Sequence, residues 1–218
     1  MNNFLYRGTF FLFLLSASLC RAQTIKNFSL ENMLKDDKLV ISPKQDLKIM
    51  KDGSYNGVSV RGIAWLTGVT FSTGSIDIDL RGRDVFQQSF LGIAFHGIDT
   101  ITYDAVYFRP FNFHSADTLR RKHCVQYISQ PDYPWDRLRK EHPLVYESFV
   151  TPSLAATAWF HAHIVVGDDE IRVYVNQSEI PSLTVKKLNS RTDGLIGLWT
   201  DSLALNGDFA NLVITPAK

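Results

Sequence analysis

Residues 103–139 hold the densest group of side chains suited to ligand chemistry. Tyr103, Tyr107, Arg109, Asn112, His114, Arg120, Arg121, His123, Gln126, Tyr127, Tyr133, Trp135, Arg137 and Arg139 all fall in this stretch. Aromatic rings offer a flat apolar face, and a pyranose offers a C–H face that stacks on it. Its hydroxyls are matched by the amides of Asn and Gln and the fork of Arg. In Tyr107-Phe108-Arg109, strand alternation sets Tyr107 and Arg109 on one side and Val106 and Phe108 on the other. The same rule sets His96 opposite Leu91, Ile93 and Phe95, on the face of Arg109. The candidate ligand-binding set is His96, Tyr107, Arg109, Asn112, Gln126, Tyr127, Trp135 and Arg137. Long polar and aromatic side chains also cover the rims and core edges of β-sandwiches, so a structural role stands beside the functional one.

Other constellations point less far. His161-Ala162-His163 has the i, i+2 spacing that puts two imidazoles on one strand face. No third metal ligand lies near them in sequence, so a solvent-facing pair is expected. Asp168-Asp169 has the oxygen chemistry for Ca²⁺, but a hairpin turn accounts for both residues without a metal. No cofactor is therefore expected, with Ca²⁺ left open. No nucleophile elbow, phosphate loop or paired-cysteine motif occurs.

The elements that must position these residues read as short strands. Gly74–Arg81 alternates apolar and polar strictly, which means one buried face and one wet face. Strands are also expected at 58–65, 89–96, 103–109, 124–128, 183–187, 194–199 and 208–214. Residues 159–166 and 170–175 flank Gly167-Asp168-Asp169 and read as a hairpin. Trp135–Glu141, bounded by Pro134 and Pro143, is the one short helix expected; Ser29–Lys35 is a marginal second. About a dozen strands with tight turns make an all-β sandwich or barrel.

The first 22 residues differ from the rest. Arg7 precedes an apolar run, Thr9–Leu19, and then Cys20-Arg21-Ala22. A charged start, a short apolar stretch and small residues at the cleavage site make a secretory signal, cut after Ala22. The run is shorter than the roughly 20 residues that span a bilayer. Residues 23–54 would then be an N-terminal segment joining a sandwich formed by 55–218. The chain would work outside the cytoplasm, secreted or periplasmic, with no membrane span once the signal is removed. Loss of Arg7 and Arg21 turns 23 basic against 22 acidic residues into 21 against 22. This near-neutral balance argues against a nucleic-acid partner. Cys124 would be left alone, with no internal disulfide.

Several of these segments carry a family resemblance. Phe71-x-x-Gly74-x-Ile76-x-Ile78-x-Leu80 and Phe90-x-Gly92-Ile93-Ala94-Phe95 resemble an early hairpin of concanavalin A-like lectin/glucanase domains. Ile171-x-Val173-Tyr174-Val175-Asn176, Gly194-x-Ile196-Gly197-Leu198-Trp199 and Gly207-Asp208-Phe209-Ala210-Asn211-Leu212-x-Ile214 resemble the end of laminin-G-type members. The resemblance implies a two-sheet antiparallel jelly-roll sandwich with ligands on the concave face or its rim. The superfamily includes sugar-binding modules, glycosidases and lyases. Its laminarinase-like hydrolases carry Glu-x-Asp-x-x-Glu on one strand. Here the matching stretch is Asp77-Ile78-Asp79-Leu80-Arg81-Gly82, and Gly82 stands where the proton donor is needed. A retaining glycosidase needs two carboxyls about 5 Å apart, so this strand does not supply that chemistry. Asp77 and Asp79 read as a solvated strand face.

The expected function is carbohydrate binding, with a poly- or oligosaccharide as ligand. Two alternatives stay open: a glycan-cleaving hydrolase or lyase using His and Tyr/Arg chemistry from residues 96–139, and a protein-interaction module.

Overall fold

Period-two alternation governs the architecture. The computed structural model describes residues 24–42 and 45–217; the signal-like residues 1–22 lie outside that range. Fifteen strands form two antiparallel sheets. The first six are β1 (Lys26–Phe28), β2 (Leu39–Ile41), β3 (Asp46–Asp52), β4 (Tyr55–Arg61), β5 (Ile63–Phe71) and β6 (Gly74–Arg81). Then come β7 (Leu91–Gly97), β8 (Tyr103–Phe108), β9 (Val125–Gln130), β10 (Glu147–Ser148) and β11 (Phe160–Val166). The last four are β12 (Glu170–Val175), β13 (Leu183–Lys186), β14 (Gly194–Thr200) and β15 (Gly207–Pro216). One sheet has eight strands in the order β13-β12-β11-β6-β15-β4-β3, with β1 added on β15. The other has seven, in the order β10-β9-β8-β7-β14-β5-β2. The expected two-sheet jelly-roll sandwich is what forms.

The inner faces are the apolar halves of the alternating strands. Ile76, Ile78 and Leu80 of β6 meet Ile164, Ala162 and Phe160 of β11 in register, and all are buried. From the opposite sheet, Leu91, Ile93 and Phe95 of β7 and Val106 and Phe108 of β8 complete the same core. Removing each such side chain from water contributes about 1.5–3 kcal/mol.

Two local details depart from the sequence expectation. The stretch 58–65 is two strands, because Gly62 adopts φ +108° and sends β4 and β5 into different sheets. A side-chain-bearing residue is strained in that conformation. Among the described residues there are also three short α-helices, of which α1 (Leu30–Lys35) and α3 (Trp135–Glu141) fall on the two expected stretches and α2 (Thr118–Arg121) was not anticipated. The helix α1 is capped by Ser29, and α2 by Asp117, whose Oδ1 accepts from Leu119 N at 2.8 Å. Residues 26–52 contribute strands to both sheets, β1 and β3 to the larger and β2 to the smaller.

The outer face of the eight-stranded sheet is polar and paired. His163 Nδ1 lies 2.7 Å from Asp77 Oδ1, and His161 bridges Asp79 at 2.8 Å and Asp77 at 3.2 Å. The histidines are half-buried and engaged with acids, not simply solvated. Hydrogen bonds to Asp77 and then Asp79 raise the His161 pKa from 6.5 to about 9, against the effect of burial. The folded state therefore favours the protonated ring. Its stabilising contribution is complete below about pH 6.5 and disappears as pH rises through about 9. Melting temperature is expected to fall across that window in the wild type, and His161→Gln should remove this part of the slope. An identical slope in both proteins would refute the pairing.

Candidate functional site

Strand register builds the site on the outer face of the seven-stranded sheet. One cross-strand row runs Glu147, Gln126, Tyr107, Gly92, Trp199, Ile63. The next runs Ile128, Ala105, Ala94, Gly197, Trp65. Small residues in the middle of both rows leave a recess between larger ones. Gly92 is required there: an added Cβ would stand 2.0 Å from Val106 O and 2.9 Å from Tyr107 Cβ.

The recess opens into a cleft of about 750 Å³, within the range of about 300–1,000 Å³ usual for ligand sites. Buried Tyr103, Tyr107 and Trp199 form its floor, and the exposed rings of Phe86 and Trp135 stand at its rim. Tyr107 and Trp199 have ring centroids 4.8 Å apart, and Trp199 Nε1 donates to Tyr103 Oη at 3.2 Å. Phe111 packs edge-on against Phe86 and Phe90, at 5.6 and 5.4 Å.

Polar groups enter from one end. Arg109, at the end of β8, is buried; its Nη2 donates to Tyr107 Oη at 2.6 Å and to Gln126 Oε1, and Nη1 donates to His123 O at 3.1 Å. Its guanidinium sits 4.8 Å from the Tyr107 ring centroid. Pro110 then ends the strand and opens a 3₁₀ turn, Pro110–Asn112, which brings Asn112 to the cleft.

Glu147 supplies the counter-charge. Its side chain is 2% exposed, and Oε2 lies 3.6 Å from Arg109 Nη1. It accepts from Arg139 through both oxygens, at 3.1 and 2.7 Å. His123 Nδ1 is 2.7 Å from Oε2, off the alignment of a hydrogen bond. Arg139 in turn lies 5.1 Å above the Trp135 ring, one helical turn away on α3. Arg120 on α2 lies 4.3 Å above Phe86.

Burial shifts the titrating groups. It pushes Tyr107 up to about 12 and lowers the Arg109 pKa. It holds His123 below its ordinary value despite Glu147. Burial also raises Asp201, which lines the cleft near Trp199 and remains open to water. Two buried amide atoms have no partner among the described residues: Asn112 Oδ1 and Gln126 Nε2.

The cleft brings together Tyr107, Arg109, Asn112 and Trp135, with Gln126 buried beside Tyr107 and Arg109. It excludes three other expected residues. His96 has φ +50°, beside a register shift in β14, which breaks alternation. Its ring is fully buried, against Ser72 O at 2.7 Å and Asp104 at 3.2 Å. Tyr127 pairs with Val106 and faces the core, donating to Asp104 at 3.2 Å. Arg137, two residues from Trp135 on α3, points away and binds Glu141 at 2.9 Å. Sequence reasoning missed Phe86, Phe90, Trp199 and Asp201, whose only signal was a cross-strand register not visible before folding. Among the described residues, no group of three or more His, Cys, Asp or Glu side chains could hold a metal ion. No helix among them is long and apolar enough to cross a membrane.

No family model matches the chain, and no curated protein matches its sequence. Solved structures do match. A Bacillus subtilis protein of unknown function with a galectin-like fold aligns at TM-score 0.58 and 10% identity, over 87% of this chain and 94% of that one. The carbohydrate binding module CBM66 from Bacillus subtilis aligns at TM-score 0.52 and 11% identity, over 78% and 92%. The exoplasmic/lumenal domain of VIP36, in a form bound to Ca²⁺ and Man3GlcNAc, aligns at TM-score 0.50 and 8% identity, over 84% and 89%. The fold is thus the concanavalin A-like jelly roll.

Removing one partner of a buried ion pair costs about 3–5 kcal/mol, because the other charge is left stranded. Glu147→Gln is expected to lower unfolding free energy by roughly that amount in urea titration. A loss below about 1 kcal/mol would mean that water, not Glu147, neutralises Arg109.

Proposed function

We propose that this protein is an exported carbohydrate-binding β-sandwich that holds a poly- or oligosaccharide in the cleft of its seven-stranded sheet. The carrying observation is one recess that combines aromatic faces with an amide oxygen, Asn112 Oδ1, that lacks a partner among the described residues. Trp135, Trp199 and Tyr107 supply surfaces for a sugar ring. Asn112 Oδ1 is an acceptor on the cleft wall, and a buried polar atom left unpaired is unfavourable until a partner arrives. The signal-like start of the chain supports an extracytoplasmic setting, and a carbohydrate-binding module and a glycan-bound domain share the fold. The reading relies on stacking and hydrogen bonds and does not require Ca²⁺.

A second reading, glycan cleavage, draws on Asp201. A carboxyl in a cleft with a raised pKa suits a general acid.

Residues 23–218 on a glycan array should give hits. Calorimetry with a hit should show Trp135→Ala weakening binding by roughly 30-fold, about 2 kcal/mol, and EDTA leaving it unchanged. Unaltered affinity in Trp135→Ala would remove the cleft from the reading. Shortened sugars after incubation, lost in Asp201→Asn, would replace a binding module with an enzyme.

A further inference from the structure

The polar end of the cleft is more basic than a neutral sugar needs. Arg109, Arg120 and Arg139 all line it. Against these three guanidiniums stand two carboxylates, Glu147 below and Asp117 at the rim. Asp117 is half-exposed and 3.7 Å from Arg120 Nε, a separation at which water screens most of the attraction. Among these five groups one positive charge is left over. Asp201, the other acid of the cleft, sits beside Phe90, and its charge acts on Tyr107, but it forms no ion pair among the described residues and takes up none of the arginine donors.

The donors at this end are also unspent. Arg139 uses Nε and Nη2 on Glu147, and its Nη1 has no partner among the described residues. Arg120 has no partner there for Nη1 or Nη2, and its one ionic contact runs through Nε. Both guanidinium carbons lie over aromatic rings, Phe86 for Arg120 and Trp135 for Arg139. Stacking restricts the rotation of these long side chains, so less entropy is lost when a ligand binds their edges. Two stacked forks at the mouth of one cleft are suited to an oxyanion.

We infer that the cleft takes an acidic glycan, one whose sugars carry a carboxylate or a sulfate, and that Arg120 and Arg139 hold this group. The inference rests on the carbohydrate reading and narrows it to a ligand class. The aromatic floor and the amide of Asn112 select a sugar, and the arginines select its charge.

The test uses matched pairs: galacturonate oligomers against their methyl esters, and sulfated against desulfated chondroitin oligomers. The acidic member of at least one pair should bind roughly tenfold tighter or more. The gap should shrink as NaCl rises from about 0.05 to about 0.5 M. Which pair shows the gap separates carboxylate from sulfate. Arg120→Gln, exposed enough to spare the fold, should weaken the acidic ligand by roughly tenfold and leave the neutral one unchanged. Arg139→Gln should also weaken the acidic ligand by roughly tenfold or more, with circular dichroism to confirm folding, because it frees Glu147 and Trp135 as well. Equal binding of acidic and neutral sugars would overturn this inference and leave the carbohydrate reading intact. Binding of an acidic peptide in preference to every sugar, or of no ligand at all, would overturn both.

Discussion

A guanidinium cannot be buried in a sheet face without acceptors around it, and Arg109 imposes that constraint on the whole cleft. Its Nη1 and Nη2 donate to Tyr107 Oη, Gln126 Oε1 and His123 O, with Glu147 at 3.6 Å for charge. Each partner arrives by a different route. Tyr107 precedes Arg109 by two on β8, Gln126 is its neighbour across the β8–β9 ladder, and His123 is brought back after the excursion through α2. Glu147 arrives on β10, a strand of two residues whose register places it beside Gln126. Moving any one would leave a buried charge or acceptor unpaired, which costs more than the contact itself contributes. The same carboxylate fixes Arg139, and Arg139 lies over Trp135. A rim aromatic is thus set by a charge buried in the floor.

A second buried ion does comparable work at the opposite end of β8. Asp104 is fully buried between the sheets. It accepts from Tyr127, Asn189 and Arg191, and it meets His96. Burial opposes its ionisation, but His96 and Arg191 outweigh that, and its pKa is lowered. This hub ties the loop between β13 and β14 to β7, β8 and β9. It claims His96 and Tyr127, residues whose types suited ligand work. A buried carboxylate with four polar neighbours competes for side chains against any binding site.

The sequence reveals what strand period controls. Alternation separates Tyr107 and Arg109 from Val106 and Phe108, and the folded β8 does the same. It fails at His96, where φ is positive and the neighbouring strand shifts register. Neither event has a pattern in one dimension. Residue types alone group Trp135, Arg137 and Arg139, but helical geometry puts only i and i+4 on one face. Trp135 and Arg139 therefore meet, and Arg137 turns away to Glu141. Trp199 and Asp201 lie some ninety residues from Arg109 in the chain and come near it because β14 pairs with β7. Sheet order decides that, and it is fixed only when the core forms. The Asp77–His161 contact is hidden in the same way: each residue alternates as a surface position should, and only the register of β6 on β11 makes them partners.

The two outer faces differ in how much hydrogen-bonding capacity they leave unmet. On the larger sheet the acids are already engaged. Asp77 and Asp79 meet histidines, and Asp208 is held by Ser59, Arg81 and Arg83. Even the Trp159 ring lies between Tyr55, 4.2 Å away, and Arg81, 5.0 Å away, and its Nε1 donates to Asp52. That face is close to self-satisfied, and a sugar would have to displace contacts already made. The smaller sheet instead keeps glycine and alanine in the middle of two cross-strand rows and opens a recess there. It leaves the Asn112 amide oxygen and arginine edges without partners among the described residues. Unmet hydrogen-bonding capacity beside an aromatic floor is unfavourable for the free protein and becomes binding energy once a polar ligand fills the space.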